Sequence, residues 1–268
     1  MAEQDYVLGT HDEELARLGL QHEVWRPHAL EAWRRAGITA GSHVLDVGSG
    51  PGYASLDLAE LVGRGGRVLA IERSARYVEF VRRRASPPLD VAQADLMADP
   101  IEADQFDAAW CRWVACFVAS PSVLVARIAT ALRPGGRLVS HEYVDYATWR
   151  LVPSRPRVEA FVAEVMASWR DSGGEPNIAR SLPALLQSNG LVVRHATPLV
   201  FAARPGQPMW RWPAAFLRTG AARLHALGRV DGAWVDAVVR DLDDAERDPD
   251  TIMVTPLVLE LIAERVRR

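Results

Sequence analysis

The chain has 268 residues, of which 24% are charged and 49% hydrophobic, and its formal net charge is −3. This length allows one large domain with added segments, and the composition excludes a collagen-like, intrinsically disordered or disulfide-stapled chain. All 31 basic side chains are arginines, so no lysine is available as a catalytic base or a Schiff-base nucleophile.

The amino-terminal segment is predicted to be helical. Residues 12–36 carry apolar side chains such as Leu15, Leu18 and Val24 at helical spacing, and Pro27 predicts a break within the segment. We assign residues 1–40 to a helical cover across the edge of the sheet that follows. The first five residues lack the basic and apolar order of a signal peptide, so we expect a cytoplasmic protein.

A regular alternation of strands and helices follows. Strands are predicted at residues 43–47, 67–71, 90–94, 106–111 and 137–142, with helices at 53–62, 75–84 and 122–132. This alternation is typical of an α/β protein with a parallel sheet and crossover helices. The carboxyl ends of such strands meet at one edge of the sheet, where ligands bind.

The rest of the chain adds helices and two more strands. Helices are predicted at residues 157–169 and 180–188, and β-strands at 191–203 and 257–262, with a polar, tryptophan-bearing stretch at 206–250. We therefore divide the chain into a core of residues 41–144, 178–204 and 251–268 and lid insertions at 145–177 and 205–250.

Charge and cysteine usage exclude several classes of partner. The slightly acidic balance argues against a nucleic-acid binder, which usually carries a basic stripe. Cys111 and Cys116 lack the number and spacing of a disulfide framework or a zinc site, and no acidic or histidine cluster has metal-ligand spacing. No apolar run approaches the roughly 18 residues of a membrane span. We expect no metal, nucleic acid or membrane partner.

The sharpest motif is a glycine-rich loop after the first strand. It reads Asp46, Val47, Gly48, Ser49, Gly50, Pro51 and Gly52. Glycines at alternate positions let the backbone turn sharply and approach a ligand, so the unit is typical of a nucleotide-like cofactor site, although a plain structural turn is the alternative. Tyr53 stands where a dinucleotide fingerprint would have glycine, so a nicotinamide cofactor fits poorly.

Acidic residues follow the next two strands. Glu72 ends the second strand, where a carboxylate can accept bonds from both hydroxyls of a ribose; a solvated strand end is the alternative. Asp95 follows the third strand, where an adenine edge would lie, and Leu96 would pack on the ring. Capping of Met97 is the alternative for Asp95.

Together with the start of the fourth strand and the Pro134-Gly135-Gly136 turn, these residues resemble class I S-adenosylmethionine-dependent methyltransferases over residues 40–142. The resemblance is closest to the small-molecule methyltransferases of ubiquinone and menaquinone biosynthesis. It implies a Rossmann-like, doubly wound sheet of seven mostly parallel strands, with residues 191–203 and 257–262 as a reversed terminal hairpin. The insertion between these strands departs from the minimal family pattern and puts the shape of the substrate pocket in question.

The resemblance also implies S-adenosylmethionine as the cofactor. Gly48 and Gly50 would face its methionine and ribose parts, and Asp46 would organise the loop. Gln21 is either an extra contact or a solvated helix residue, and Arg112 either holds a carboxylate or forms a salt bridge. The predicted cofactor contacts are Gln21, Asp46, Gly48, Ser49, Gly50, Glu72, Arg73, Asp95, Leu96 and Arg112.

Methyl transfer from a sulfonium is an in-line displacement, in which the acceptor atom must be held about 3 Å from the methyl group. We predict His141 and Tyr143 as catalytic residues, because histidine can act as a base near neutral pH and tyrosine can orient an acceptor. A packing role is the alternative for His141. The predicted substrate contacts are Tyr6, Trp113, Tyr146, Trp149 and Trp169; core packing is the alternative for each tryptophan.

We therefore expect a methyltransferase acting on a small, aromatic or largely apolar molecule enclosed by a lid. One alternative is a protein that binds the same cofactor but catalyses a non-methylating reaction such as a cyclisation. A nicotinamide oxidoreductase is a further alternative that the glycine spacing disfavours. The aromatic lid also leaves a homodimer open.

Overall fold

The computed structural model describes residues 12–266, so the predicted substrate contact Tyr6 lies outside the described residues. The helices are α1 (Asp12–Arg35), α2 (Tyr53–Val62), α3 (Ala75–Arg82), α4 (Pro121–Ala131), α5 (Pro156–Asp171), α6 (Leu182–Ser188), α7 (Pro208–Ala226) and α8 (Gly232–Arg247). The strands are β1 (His43–Val47), β2 (Arg67–Glu72), β3 (Leu89–Gln93), β4 (Phe106–Arg112), β5 (Leu132–Asp145), β6 (Arg150–Val152), β7 (Leu191–Leu199), β8 (Ala202–Ala203), β9 (Ile252–Val254) and β10 (Leu257–Arg265).

A seven-stranded sheet forms the centre of the molecule, with the strand order β3-β2-β1-β4-β5-β10-β7. Strands β1 to β5 pair in parallel, whereas β10 runs antiparallel to both of its neighbours. The predicted Rossmann-like sheet and its reversed terminal hairpin are therefore confirmed. Helices on both faces bury the largely apolar central strands, as expected for a doubly wound fold.

The predicted strand at 191–203 is divided between two sheets. β7 pairs with β10 at the edge of the main sheet, whereas β8 pairs with β9 in a second sheet of order β6-β9-β8. Between them, Phe201 and Thr255 exchange hydrogen bonds that turn the chain away from the main sheet. The second sheet was not predicted because strands of two or three residues are too short to show a periodicity.

The break predicted at Pro27 is wrong, since α1 continues through it. Pro27 is exposed, and its missing N–H removes one helical hydrogen bond at a cost of about 3 kcal/mol. On the buried face, Trp25 and Trp33 are fully shielded from solvent. Each such side chain stabilises the packed helix by roughly 1.5–3 kcal/mol, which offsets the loss.

Helices from the two predicted lid insertions pack together beside the sheet. α5 contacts both α7 and α8, and α7 lies against α1. The helices of residues 12–266 include no segment that is both long and apolar enough to cross a membrane.

The contact of α1 with the sheet predicts a large effect of Trp33→Ala. The Trp33 ring packs edge-on against Trp110 of β4, with ring centroids 5.3 Å apart. Removal of this fully buried indole should lower the free energy of unfolding in urea by about 3–5 kcal/mol. Arg34→Ala is the matched control, because the exposed Arg34 side chain forms an ion pair with exposed Glu31. This substitution should change the free energy of unfolding by less than about 1 kcal/mol. Equal losses in the two variants would contradict this packing.

Candidate functional site

A cavity of about 1320 Å³ lies at the carboxyl ends of β1, β2, β4 and β5. The sheet contributes the glycine loop and strand ends, α1 contributes Arg17, Gln21 and His22, and α7 contributes Trp212 and Phe216. Drug-sized ligands usually occupy about 300–1,000 Å³. The cavity therefore has room for a nucleoside-sized cofactor together with a second small molecule.

The glycine loop forms one wall of the cavity. Gly48 and Gly50 have positive φ angles of 63° and 55°. A Cβ atom on Gly48 would lie 2.7 Å from Val114 Cγ2, so this position requires glycine both for its conformation and for space. The close approach to Val114 connects the loop of β1 to the segment that follows β4.

Glu72 ties the glycine loop to the end of β2. Its Oε2 accepts a hydrogen bond of 2.9 Å from the Gly50 N–H, and its Oε1 accepts one of 2.7 Å from the Ser74 N–H. Burial raises the pKa of Glu72, while these backbone bonds act in the opposite direction. Arg73, the next residue, is exposed and also lines the cavity.

Asp46 connects β1 to α2 beneath the loop. Its Oδ2 accepts a hydrogen bond of 2.6 Å from Ser55 Oγ, and burial raises the pKa of Asp46 to about 6. Asp95 and Leu96 line the cavity beyond β3. The Asp95 Oδ1 accepts a 2.8 Å bond from the Met97 N–H, so the carboxylate caps this turn while it faces the cavity.

A chain of polar contacts links Arg112 to α1 and α2. Arg112 Nη2 lies 3.2 Å from His22 Nδ1, and His22 Nε2 lies 3.0 Å from Asp57 Oδ2. Burial lowers the pKa of Arg112 to about 10 and is the main cause that lowers the pKa of His22. Sequence reasoning missed His22 and Asp57, because no local spacing relates a residue of α1 to one of α2.

Four buried polar atoms in the described part of the cavity wall have no hydrogen-bond partner. Two lie at its polar end, Ser49 Oγ and Arg112 Nη1, and two belong to its aromatic end, Trp113 Nε1 and Trp149 Nε1. Leaving a buried donor without a partner costs about 1–3 kcal/mol, so such atoms mark positions where a polar ligand fits. The two atoms at the polar end belong to residues predicted as cofactor contacts, and the two indole nitrogens belong to predicted substrate contacts.

The opposite end of the cavity is aromatic. The Trp113 ring is nearly parallel to those of Tyr143 and Trp212, with centroid distances of 5.6 and 5.4 Å. Burial raises the pKa values of Tyr143 and Tyr146 well above their ordinary range, so both hydroxyls stay protonated. Every predicted substrate contact within residues 12–266 lines this cavity: Trp113, Tyr146, Trp149 and Trp169.

His141 is not part of the cavity wall, and its assignment as a base is corrected. His141 is fully buried, and its Nε2 lies 3.0 Å from Glu260 Oε2 of β10. Its ring packs against Trp110 and Trp25 at centroid distances of 4.9 and 5.9 Å. Tyr143, two residues further along the same face of β5, does line the cavity, so α1 covers the histidine but not the tyrosine.

Two residues of α1 support the polar part of the wall. Arg17 Nη2 forms a buried ion pair of 2.6 Å with Glu14, and Arg17 Nη1 donates a 3.0 Å hydrogen bond to Gln21 Oε1. The same Gln21 oxygen accepts a 3.2 Å bond from Trp212 Nε1 of α7. Gln21 therefore joins α1 to α7 as well as facing the cavity.

Glu142 holds the segment after β4 from the other face of the sheet. Its Oε1 accepts bonds of 2.8 Å from the N–H groups of both Val114 and Ala115. The preceding residue, Trp113, has a φ angle of +52°, which is a strained conformation for a tryptophan. Glu142 thus stabilises the conformation that places the Trp113 ring in the cavity wall.

A family model described as "Methyltransferase domain" matches residues 45–140. The chain is 32% identical over 162 residues to trans-aconitate 2-methyltransferase of Paracidovorax citrulli, covering 60% of this chain and 59% of that protein. It is 29% identical over 126 residues to demethylmenaquinone methyltransferase of Lactococcus lactis, covering 46% and 49%. The chain thus spans about half the length of the curated relatives it matches.

Solved structures share the fold. The [4+2]-cyclase SpnF has a TM-score of 0.58 and 20% identity, over 90% of this chain and 82% of that one. Geranyl diphosphate C-methyltransferase from Streptomyces coelicolor has a TM-score of 0.56 and 16% identity, over 90% and 77%. At these identities the likeness shows a common architecture.

The burial of Glu142 predicts a pH-dependent effect of Glu142→Gln. Burial raises the pKa of Glu142 from 4.5 to about 7, so the folded state binds its proton more tightly than the unfolded state. The wild type should therefore lose stability relative to the variant as the pH rises from 4.5 to 7, by roughly 3 kcal/mol at about 1.4 kcal/mol for each pKa unit.

Urea unfolding at several pH values between 4.5 and 8 measures this difference. Exposed Glu60→Gln on α2 is the control, and its stability should follow that of the wild type throughout. A constant difference between wild type and Glu142→Gln would contradict the prediction.

Proposed function

Because residues 45–140 form a class I S-adenosylmethionine-dependent methyltransferase domain, we propose that the whole protein transfers a methyl group to a small, aromatic or largely apolar molecule. The observation that carries this proposal is that one cavity is lined both by the glycine loop and by a stacked aromatic wall. When bound, the cofactor supplies a methyl group activated by its sulfonium. The two relatives named for trans-aconitate and demethylmenaquinone support an acceptor of small-molecule size.

The polar end of the cavity fits this cofactor. Arg112 Nη1 and Ser49 Oγ are buried without partners, and a carboxylate in this position would satisfy the guanidinium. The Glu72 carboxylate accepts backbone N–H bonds from Gly50, Ser74 and Arg73, and the remaining one of its about four acceptor sites is available to a ribose hydroxyl. Asp95 would accept a bond from the adenine amino group, and Leu96 would cover the ring.

The aromatic end would position the acceptor. The protonated hydroxyls of Tyr143 and Tyr146 are donors that orient an oxygen or nitrogen acceptor. The stacked faces of Trp113 and Trp212 exclude water and attract positive charge, which favours a cationic centre beside them. These residues therefore act by positioning and desolvation.

No histidine in the described part of the wall is free to remove a proton from the acceptor. Within residues 12–266, His22 is the one histidine that lines the cavity, and both of its ring nitrogens are engaged. An acceptor that is a carbon or nitrogen nucleophile, or that loses its proton readily to water, suits this arrangement best.

The cofactor assignment predicts binding of S-adenosylhomocysteine and a strong effect of Glu72→Gln. The amide has one acceptor oxygen and would direct its NH₂ at a backbone N–H, so the affinity should fall at least about tenfold. Isothermal titration calorimetry measures both. Exposed Glu79→Gln on α3 is the control and should bind like the wild type. Absence of binding by folded wild-type protein would refute the assignment.

The catalytic assignment predicts transfer of a labelled methyl group. Incubation with methyl-labelled S-adenosylmethionine and a small-molecule extract should yield a labelled product. Trp212→Ala should lower kcat/KM at least about tenfold by opening the stacked wall, whereas Trp234→Ala on α8, outside the cavity, should not. Conversion of a compound without label in any product would instead support a non-methylating reaction, for which the fold of the SpnF cyclase offers a precedent.

A further inference from the structure

A pair of residues that the proposed reaction does not itself require adjoins the polar end of the cavity. His22 of α1 lines the cavity, and Asp57 of α2 lies behind it. We propose that His22 and Asp57 are positioning residues that direct the Arg112 guanidinium towards the carboxylate of the cofactor's amino-acid part. This inference rests on the proposed function. The substrate-facing aromatic wall is separate from this pair.

The hydrogen bonds determine which proton each nitrogen of His22 carries. Arg112 Nη2 has only hydrogens to offer, so the His22 Nδ1 at 3.2 Å must be an acceptor. His22 Nε2 then carries the N–H that donates to Asp57 Oδ2 at 3.0 Å. A neutral imidazole satisfies both bonds at once, and burial, which lowers the pKa of His22, favours that form.

The surroundings leave Arg112 few other fixed acceptors. The ring centroids of Trp110 and Trp113 lie 5.5 and 5.2 Å from its guanidinium carbon. These cation–π contacts attract the charge but do not set the direction of the N–H bonds. Asp46 attracts Arg112 electrostatically, but its Oδ2 is bonded to Ser55. His22 is thus the directional contact of Nη2, and it leaves Nη1 unpartnered in the cavity wall.

Asp57 in turn holds His22 in place. Its Oδ2 also accepts a 2.7 Å hydrogen bond from Arg26 Nε, so the carboxylate is anchored between two residues of α1. The side chains of His22 and Asp57 are only 9% and 15% exposed, which shields their contact from competing water. The direction of the Arg112 guanidinium therefore depends on the packing of α1 against α2. These helices precede and follow β1 along the chain.

Two substitutions of His22 separate its two bonds. His22→Asn places an amide oxygen near the position of Nδ1 and retains an acceptor for Arg112. His22→Gln places its amide near the position of Nε2, which retains the bond to Asp57 and loses the acceptor. Asp57→Asn removes the negative charge that anchors His22 without a change of size. It tests the same series of contacts at the residue furthest from Arg112.

Two ligands separate a positioning role from a general loss of structure. S-adenosylhomocysteine carries the carboxylate, whereas 5′-methylthioadenosine has the same nucleoside and thioether but no amino-acid part. By calorimetry, His22→Gln should bind S-adenosylhomocysteine roughly tenfold more weakly and 5′-methylthioadenosine as the wild type does. His22→Asn should regain most of the lost affinity, and Asp57→Asn should show the same ligand selectivity with a smaller loss.

The outcomes distinguish this inference from the proposed function. Wild-type affinity of His22→Gln for S-adenosylhomocysteine, or equal weakening of both ligands, would overturn the positioning role while the function stands. Failure of the folded wild type to bind either ligand would refute the cofactor assignment, and this inference with it. Should His22→Gln not fold, as judged by circular dichroism and thermal unfolding, the ratio of the two affinities in Asp57→Asn decides the question in the same way.

Discussion

Strand β1 is hydrogen-bonded in parallel to β2 on one side and to β4 on the other, and its last residue, Val47, pairs with both Ile71 and Cys111. This register sets the level at which three chain segments leave the sheet. The glycine loop begins directly after Val47, Glu72 follows Ile71, and Arg112 follows Cys111. The three therefore lie side by side at the carboxyl ends of the strands. A shift by one residue would turn these side chains to the other face, and the cavity would lose its polar end.

Two carboxylates accept hydrogen bonds from irregular segments of the backbone. Glu72 accepts N–H groups of the glycine loop, and Glu142 accepts those that follow the strained Trp113. Burial of a carboxylate is unfavourable, as the raised pKa values of both groups show. The carboxylates remain because they satisfy backbone donors that no strand or helix can pair, and the aromatic core supplies the stability that offsets their cost.

α1 has two roles that come from its two sides. Trp25 and Trp33 bury its inner face against the sheet, which keeps the helix continuous through Pro27. Gln21 and His22 lie at the border of that face and reach the cavity, where Gln21 contacts α7 and His22 contacts Arg112. The helix therefore packs on the sheet and also forms part of the cavity wall.

The sequence by itself determined where the parallel strands and the glycine loop lie along the chain, and that Glu72 and Asp95 follow strand ends, because these features depend on local patterns. The tertiary structure decided which polar side chain reaches the cavity. His141 and Tyr143 share one face of β5, yet α1 covers the first and leaves the second in the cavity, while His22 enters it from a distant helix. Such choices depend on the packing of segments far apart in the chain, a relation that no local spacing of residues carries.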